Sequence, residues 1–424
     1  MSGKAGLIMN MNMNYKKTYH QCEAIRNKFP VFERCINNHT LHYLDSAAMT
    51  QVPNSVLDEM KKFEITSRSN IQRSVYQMAA ESTEAYEGAR DSVSNYINAS
   101  SSDEIIFTSG TTNSINLLAQ SFGANLNPGD EIVISLAEHH SNFVPWQILR
   151  DRYGIVLKAI PLKDDGILDL DELSNIVSAR CKLIAVTHVS NVTGAITEVA
   201  RIVESAKKVG AKVFLDGAQA VPHGQVDVQG LGIDFYAFSG HKSYGPTGIG
   251  VLWCKNESLE KLLPTNGGGG MVERVSLNKA TFKSGNHAFE AGTPPIVQAI
   301  GLGKALDWLQ GLRWDAIRLH EKKLSNILFD ALKKIPDLRI LGEDNALTRM
   351  PIFSFVLKDI HPHDFCHILD QHGVAIRGGH HCAQPLLTEL NLFACSRVSI
   401  GIYNNEDDIN AFIRGLHNAI EVLK

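Results

Sequence analysis

The chain has 424 residues, of which 44% are hydrophobic and 20% are charged, and its formal net charge is −4. This length allows two domains with a large core, and the near-balanced charge excludes a strong field for nucleic acid or an anionic membrane. The opening MSGKAGLIMNMNMNYKK lacks an apolar signal region, and no apolar stretch is long enough to span a bilayer. The seven cysteines include no CxxC pair, which indicates free thiols and a cytoplasmic protein.

Short apolar runs rich in Val, Ile and Phe alternate with amphipathic stretches from residue 104 onward. Such runs are typical of strands buried on both faces of a largely parallel sheet, so an α/β fold is predicted. One intervening stretch, 197–210, has apolar residues at helical spacing and a candidate C-cap in Gly210. The predicted strands are 104–107, 131–135, 155–161, 182–189, 212–216, 235–239 and 249–254.

A second, smaller α+β unit is predicted after residue 300. Its helices are expected at 319–335, 363–372 and 406–424, and its strands at 352–356, in VAIRGG and in RVSIGIY. The predicted division is a lead-in segment 1–37 that packs on the small domain, a large domain 38–300 and a small domain 301–424.

The carboxyl ends of strands in an open α/β sheet are where ligands bind, and the first such end here reads TSGTTN. Gly110, Thr111 and Thr112 lie where a strand turns into a helix, a place where backbone N–H groups and the helix dipole favour an anion. An ordinary helix N-cap explains this turn equally well. Ser239 and His241, at a later strand end, are able to bind a phosphate alongside Thr111.

Asp216 ends the run 212–216, where a desolvated carboxylate needs a cationic partner. A protonated pyridine nitrogen is such a partner, and Gln219 is then able to donate to a ring oxygen. Lys242 follows the run 235–239, and burial lowers the pKa of a lysine so that its amine attacks an aldehyde. Each residue alone also suits a strand-end cap or a surface turn, but together they predict pyridoxal phosphate (PLP) held as a Schiff base on Lys242.

Two further strand ends carry polar side chains suited to such a site. Asn191, in THVSNVTG, is expected to hydrogen-bond the ring oxygen or a substrate carboxylate. His139 and His140 follow the run 131–135, and a flat imidazole is able to stack on a pyridine ring or move protons. A single histidine at such a position is more often structural.

The second unit contributes RGGHHCAQP, in which Cys382 lies in a Gly-flanked turn beside two histidines. A thiolate is the reactive form of cysteine, and nearby positive groups favour it, although most cysteines are buried and inert. A metal site built from HHC and 361–367 is discounted, because the second stretch reads as a helix start and no zinc spacing such as CxxC is present. Arg397 offers a planar fork for a substrate carboxylate.

Six motifs, DGAQA, SGHKSYGPTGIG, THVSNVTG, EHHSNFVPWQ, FEAGTP and RGGHHCAQP, together resemble those of the class V aminotransferase-fold cysteine desulfurases. The similarity is greatest to the group II branch, which includes SUF-type cysteine desulfurases and selenocysteine lyases. It extends from about Tyr43 to the C-terminus, which is most of the chain.

The resemblance implies the aspartate aminotransferase type I fold, a homodimer with PLP in each large domain, and conversion of cysteine to alanine. It implies that Lys242 attaches the cofactor and moves protons, that His139 stacks on the ring, and that Cys382 becomes a persulfide for delivery to an acceptor protein, as in iron–sulfur cluster assembly. The other implied contacts are Asp216, Gln219 and Asn191 to the ring, Thr111, Thr112, Ser239 and His241 to the phosphate, Thr293 to the phosphate across the subunit interface, and Asn191, Arg377 and Arg397 to the substrate. No metal is implied.

The sequence departs from the family pattern at a few positions near the implied entrance. Relatives commonly read RGIH at 73–76, where this chain has Ser74 for Gly and Tyr76 for His, and they often have Arg and Glu at Ser109 and Asn113. These departures leave open a PLP reaction on selenocysteine, cysteine sulfinate or a biosynthetic intermediate. A non-catalytic relative is the third hypothesis, and the intact set of Lys242, Asp216 and Gln219 argues against it.

Overall fold

The structure, a computed structural model, describes residues 24–72 and 74–424, and its centre is a seven-stranded sheet. All seven predicted runs form strands of this sheet, so the predicted α/β class is confirmed. Gly250–Cys254 is antiparallel to both of its neighbours, and the other pairs are parallel. From edge to edge the strands are Ile105–Thr108, Gly250–Cys254, Phe235–Ser239, Lys212–Asp216, Cys181–Thr187, Glu131–Ser135 and Val156–Ile160.

Helices cover both faces of this sheet, which explains why most residues of its strands are apolar. Every residue of Glu131–Ser135, Phe235–Ser239 and Gly250–Cys254 is buried. Three shorter strand pairings lie outside the two main sheets: Cys35–Ile36 with His39–Thr40, His42–Tyr43 with Val374–Ala375, and Val272–Val275 with Ala280–Phe282. The helices of this part are Asn54–Thr66, Gln77–Tyr96, Thr111–Gly123, Val144–Tyr153, Leu173–Ile176, Val199–Val209, Val228–Leu231, Asn256–Leu259 and Ile296–Gln310.

The helix Val199–Val209 illustrates how the local sequence sets an element. Its buried residues are Val199, Ile202, Val203 and Ala206, and they share one face because Ile202 and Val203 each lie three or four positions from both Val199 and Ala206. Gly210 ends the helix with a φ of 71°, a left-handed conformation that glycine adopts without steric cost. Burying each Ile or Val side chain contributes about 1.5–3 kcal/mol, so this face fixes the helix on the sheet.

The second unit is a four-stranded antiparallel sheet with its own apolar core. The predicted strand RVSIGIY ends at Ser399, because Gly401 donates its N–H to Asn404 Oδ1 in a turn that precedes the last helix. That helix begins in a capping box formed by Asn405 and Asp408. The strands are Leu338–Ile340, Ile352–Leu357, Cys395–Ser399 and Arg377–Gly379, and the helices are Trp314–Lys333, Pro362–Gln371, Gln384–Glu389 and Glu406–Leu423.

The N-terminal part of the described chain packs against the second unit. Arg26 pairs with Asp408 at 2.9 Å, and the amide of Asn37 donates to the carbonyl of Asp370 at 2.8 Å. The strand His42–Tyr43 pairs in parallel with Val374–Ala375. The predicted packing of residues 1–23 lies outside the described residues, and the domain boundaries at 38 and 300 stay predictions. In residues 24–72 and 74–424, no helix is both long enough and apolar enough to cross a membrane.

Candidate active site

A cavity of about 200 Å³ lies at the carboxyl ends of the central strands and is closed on one side by the second unit. Parallel strands bring their carboxyl ends to one edge of a sheet, which is why residues far apart in sequence meet here. Thr293 lies elsewhere, on a cavity of about 220 Å³ beside His287 and Glu290, so its predicted role across subunits stays a prediction. The predicted residues that line the first cavity are Thr111, Thr112, His139, Asn191, Asp216, Gln219, Ser239, His241, Lys242, Arg377, Cys382 and Arg397.

Lys242 is the last residue of a short 3-10 turn that follows the strand Phe235–Ser239. The surrounding protein removes most of the hydration of its ammonium group and lowers the pKa to about 8, while the negative charge of Asp216 acts in the opposite direction. The turn is held because Thr50 N donates to the carbonyl of His241 at 2.9 Å, and Tyr244 N donates to Thr50 Oγ1 at 2.7 Å. A substantial fraction of Lys242 is therefore a neutral amine near pH 8.

Asp216 ends the strand Lys212–Asp216 and is buried, with 5% of its surface exposed. Burial raises the pKa of its carboxyl group, and the hydrogen bond from Ala218 N at 3.0 Å and the charge of Lys242 lower it. A buried carboxylate at this position suits a cationic ligand group, which would restore the ionised form.

The turn at Gly110, predicted to be a phosphate-binding anion cradle, lies at the start of the helix Thr111–Gly123. Thr111 N donates to Ser239 Oγ at 2.8 Å, and the Thr111 and Ser239 hydroxyl oxygens lie 2.7 Å apart. Gly110 has a φ of 148°, and a Cβ added to Gly250 would lie 2.4 Å from Gly110 Cα. Glycine at both positions therefore lets the turn approach the neighbouring strand closely. His241 lines the same cavity, and burial lowers its pKa to about 4.

His139 is held as a neutral imidazole on the cavity wall. Burial, followed by the charge of Lys242, lowers its pKa to about 3. Its Nδ1 accepts from Ser141 N at 3.1 Å and lies 2.8 Å from Ser141 Oγ, which assigns the ring proton to Nε2. The ring is thus a flat, uncharged surface suited to stacking on an aromatic ligand.

Glu138 was not identified from the sequence, and its hydrogen bonds connect the end of the strand Glu131–Ser135 to the neighbouring strand Cys181–Thr187. It is fully buried, and burial raises its pKa to about 8. It accepts hydrogen bonds from Asn142 Nδ2 at 2.6 Å and Thr187 N at 2.9 Å, and it contacts Ser135 Oγ. The sequence shows only that Glu138 is an acidic residue within AEHHSN, and this does not distinguish a buried structural carboxyl group from a surface residue.

The amides of Asn191 and Gln219 reach protein carbonyls in this structure. Asn191 Nδ2 donates to the carbonyl of His381 at 2.9 Å, and Gln219 Nε2 donates to that of Ala47 at 2.8 Å. Both side chains line the cavity. Their predicted contacts to a ring oxygen or a carboxylate stay predictions, and the bond from Asn191 adds a direct connection to the residue before Cys382.

Arg397 is buried, and a second residue missed from the sequence, Asp45, is its ion-pair partner. Arg397 Nη2 lies 2.8 Å from Asp45 Oδ1, and Nη1 donates to the carbonyl of Asn191 at 3.1 Å. Its Nε has no hydrogen-bond acceptor within the described ranges. Burial lowers the pKa of Arg397, and Asp45 raises it. A buried guanidinium with an unused donor suits an additional carboxylate. Arg377 lies opposite Arg397 in the antiparallel register and is exposed.

Cys382 lies in the loop before the helix Gln384–Glu389, half-buried on the cavity wall. His381 and Cys382 have φ values of 50° and 54°, a left-handed conformation that side-chain-bearing residues rarely adopt. The carbonyl of Cys382 accepts from His140 N at 2.7 Å. The thiol thus shares one cavity with Lys242 and Arg397.

A metal centre has no support among the residues that the structure describes, because no three His, Cys, Asp or Glu side chains are grouped to hold one. Cys366, in the discounted stretch 361–367, lies on the helix Pro362–Gln371, and burial raises its pKa to about 12.

The residues that depart from the family pattern do not line the cavity. Tyr76 is 51% exposed, and Ser109 N donates to Asn113 Oδ1 at 3.4 Å. Arg73 lies outside the described residues. The effects of these departures on substrate choice stay predictions.

Comparison with known proteins identifies the family of this chain. The profile of the family Aminotransferase class-V matches residues 42–412. A probable cysteine desulfurase of Streptomyces coelicolor is 45% identical over 402 residues, covering 93% of this chain and 96% of that protein. A cysteine desulfurase of Dickeya dadantii is 42% identical over 413 residues, covering 97% of this chain and all of that protein.

Solved structures show the same fold. The crystal structure of a cysteine desulfurase from Escherichia coli has a TM-score of 0.88 and 38% identity, covering 95% of this chain and 99% of that chain. The apo structure of a cysteine desulfurase from Thermococcus onnurineus has a TM-score of 0.89 and 35% identity, covering 95% and 98%. This chain shares one fold with these structures, so the predicted fold is confirmed. From the profile match, the sequence identity and the shared fold together, the chain belongs to the class-V aminotransferase family.

Proposed function

We propose that this chain is a PLP-dependent cysteine desulfurase, which converts L-cysteine to L-alanine and takes the sulfur on Cys382 as a persulfide. The observation that carries the proposal is that Lys242, Arg397 and Cys382 line one small cavity. An aminotransferase needs the lysine and the arginine, but it has no use for a thiol there. The similarity to bacterial cysteine desulfurases supports the same reaction.

The residues around Lys242 suit PLP as a resident cofactor. Asp216 would pair with the ring nitrogen, His139 would stack on the ring and Gln219 would donate to the ring oxygen. When bound, PLP supplies an electron sink for the pair left at the substrate Cα. The phosphate would be held by Thr111, Thr112, Ser239 and His241, and by Thr293 of the partner subunit in a homodimer.

Arg397 would bind and orient the substrate carboxylate, using the Nε that lacks an acceptor and the Nη2 that already contacts Asp45. Asn191 and Arg377 would complete this carboxylate site. Lys242 then takes the proton from the substrate Cα, a task suited to an amine whose pKa is lowered to about 8.

Cys382 performs the sulfur transfer. Its Sγ forms a bond to the sulfur of the bound cysteine as the Cβ–S bond of the substrate breaks. The substrate Cβ takes the proton that the Cys382 thiol gives up, Lys242 returns its proton to Cα, and alanine leaves while Cys382 holds the persulfide. Cysteine and a thiol thus become alanine and a persulfide, and atoms and electrons balance. The persulfide is then passed to an acceptor protein in the cytoplasm, as in the SUF-type branch.

The test is cysteine turnover by the PLP-loaded protein beside two cysteine variants. Wild type is expected to release alanine and to carry a persulfide on Cys382, located by mass spectrometry of its peptide. Cys382→Ala is expected to lose both, and Cys35→Ala, which removes an exposed cysteine, is expected to retain both. A wild-type protein that binds PLP but releases no alanine would sink the proposal.

The alternative reaction, on selenocysteine, cysteine sulfinate or a biosynthetic intermediate, is motivated by Tyr76 and Ser109. The same variants separate it, because direct loss of selenium or sulfinate does not require the thiol. Turnover of such a substrate at equal rates in wild type and Cys382→Ala, with no turnover of cysteine, would establish the alternative.

A further inference from the structure

Two histidine rings hold the backbone on either side of the cysteine thiol. Cys382 N donates to His380 Nδ1 at 3.1 Å, and Gln384 N donates to His140 Nε2 at 3.3 Å. The two rings contact each other, with centroids 5.7 Å apart and planes inclined by 34°. One ring comes from the loop itself and the other from the turn that follows the strand Glu131–Ser135.

The backbone that these rings hold has a strained conformation, which contacts with the surrounding protein must maintain. His381 and Cys382 are consecutive left-handed residues with side chains, and such a conformation persists only where the surroundings impose it. Further bonds come from His140 N to the carbonyl of Cys382 and from Asn191 Nδ2 to the carbonyl of His381. Without the two ring acceptors, the N–H groups of Cys382 and Gln384 lose their partners.

Both rings act as acceptors, so His380 Nδ1 and His140 Nε2 must be unprotonated. Partial burial, and then the neighbouring His380, hold the pKa of His140 below its ordinary value, which favours the neutral ring. Neither His140 nor His380 lines the cavity, whereas Cys382 does. Any effect of these rings on the reaction therefore passes through the loop.

We propose that His140 and His380 are positioning residues that clamp the loop 380–384, so that Cys382 Sγ meets the substrate sulfur. The inference rests on the proposed function and concerns the sulfur-transfer step alone. Binding of PLP and of cysteine at Lys242 and Arg397 does not depend on the clamp.

The test compares variants that remove each acceptor with variants that restore it. His380→Ala and His140→Ala remove the acceptors. His380→Asn keeps an oxygen able to accept from the N–H two residues ahead, as in an Asx turn, and His140→Gln carries an amide oxygen at similar reach. His417→Ala, an exposed histidine on the last helix, is the matched control.

Two readouts separate positioning from general damage. The first is the rate at which iodoacetamide alkylates Cys382, measured by mass spectrometry on the peptide that contains it. The second compares the rate of alanine release with the rate of the absorbance change when the PLP-loaded enzyme is mixed with cysteine. The alanine variants are expected to alkylate at a changed rate and to release alanine about tenfold to a hundredfold more slowly, while the absorbance change keeps its rate. His380→Asn, His140→Gln and the control are expected to behave as wild type.

The clamp is overturned if both alanine variants alkylate and release alanine at the wild-type rate, or if the amide variants are as impaired as the alanine variants. If the PLP-loaded wild-type protein makes no alanine from cysteine, the proposed function is disproved instead of the clamp. In that case the alkylation rates, which need no turnover, still decide whether the two rings hold the loop.

Discussion

The two walls of the cavity are built in opposite ways. The strand-end wall, with Asp216 and Lys242, is formed where parallel strands stop, and its charged groups are desolvated by the core around them. The loop wall, with Cys382, has left-handed backbone and is held by hydrogen bonds from other segments of the chain. The first wall is therefore rigid because of the sheet, and the second is rigid only as long as its partners are present. Changes to the first wall should affect cofactor and proton chemistry, and changes to the second should affect sulfur transfer alone.

The largest expected effect is that of Lys242→Ala. Without the amine, the proposed PLP cofactor would have no covalent attachment and the substrate Cα would have no base, so turnover of cysteine should fall to background. The absorbance spectrum after dialysis and an alanine assay measure both losses. Cys382→Ala, the matched change on the other wall, should keep the spectrum and lose only the alanine. If Lys242→Ala retains the wild-type spectrum, the division between the walls is wrong.

Asp45→Asn tests the ion pair between half-buried Asp45 and buried Arg397, which orients the guanidinium of Arg397. Hydrogen bonds to charged groups contribute about 1.5–3 kcal/mol, so loss of this pairing should reduce kcat/KM by about tenfold or more. The change should appear mainly in KM, because Asp45 acts on the carboxylate site and not on the thiol. Steady-state kinetics with cysteine measure it, and Asp91→Asn, on the exposed face of the helix Gln77–Tyr96, is the control. An unchanged KM would mean that Arg397 is oriented without Asp45.

Glu138→Gln should weaken the strand-end wall without touching its chemistry. The oxygens of Glu138 accept hydrogen bonds from Asn142 Nδ2 and Thr187 N, and the amide nitrogen of glutamine is unable to accept one. The loss of one of these hydrogen bonds should lower the free energy of unfolding by about 1–3 kcal/mol. Urea unfolding of the purified protein measures this loss.

Glu138→Gln should also change how the free energy of unfolding depends on pH. Burial raises the folded-state pKa of Glu138 to about 8, above its ordinary value, so the folded state retains a proton that the unfolded state releases. The stability from this proton is present below the ordinary pKa and is lost as the pH rises to about 8. Unfolding at about pH 5 and about pH 9 should show a smaller pH difference for Glu138→Gln than for wild type. An equal difference would assign the pH dependence to other groups.

Arg377→Lys should have the smallest effect. Arg377 is the exposed cross-strand neighbour of buried Arg397, and a lysine keeps its charge there while losing only the planar fork. A rise in KM of about twofold to fivefold is expected, consistent with an exposed pair worth about 1 kcal/mol or less. A loss as large as that of Asp45→Asn would mean that the planar fork of Arg377, and not its charge alone, binds the substrate carboxylate.

The strand-end wall was the part of the site that the sequence predicted best. Lys242 and Asp216 each follow an apolar run, and a parallel sheet brings such ends together, so local pattern and topology were enough. Asp45 lies 352 residues before its partner Arg397 and carries no periodic signal of its own. The burial of Glu138 and the hydrogen bond from Asn191 to His381 likewise depend on tertiary packing, which residue spacing does not encode.

The order of the central sheet has a consequence for synthesis of the chain on the ribosome. Its first strand, Ile105–Thr108, pairs within the sheet only with Gly250–Cys254, its last strand in sequence. The predicted anion cradle at Gly110 is thus incomplete until residue 254 has left the exit tunnel. The short strand His42–Tyr43 pairs with Val374–Ala375, which is synthesised later still. Domains generally fold as units during synthesis, and pairings this distant in sequence form late. The nascent protein therefore exposes an unpaired sheet edge for much of its elongation, and the cavity, which Cys382 and Arg397 also line, is complete only near the end of translation.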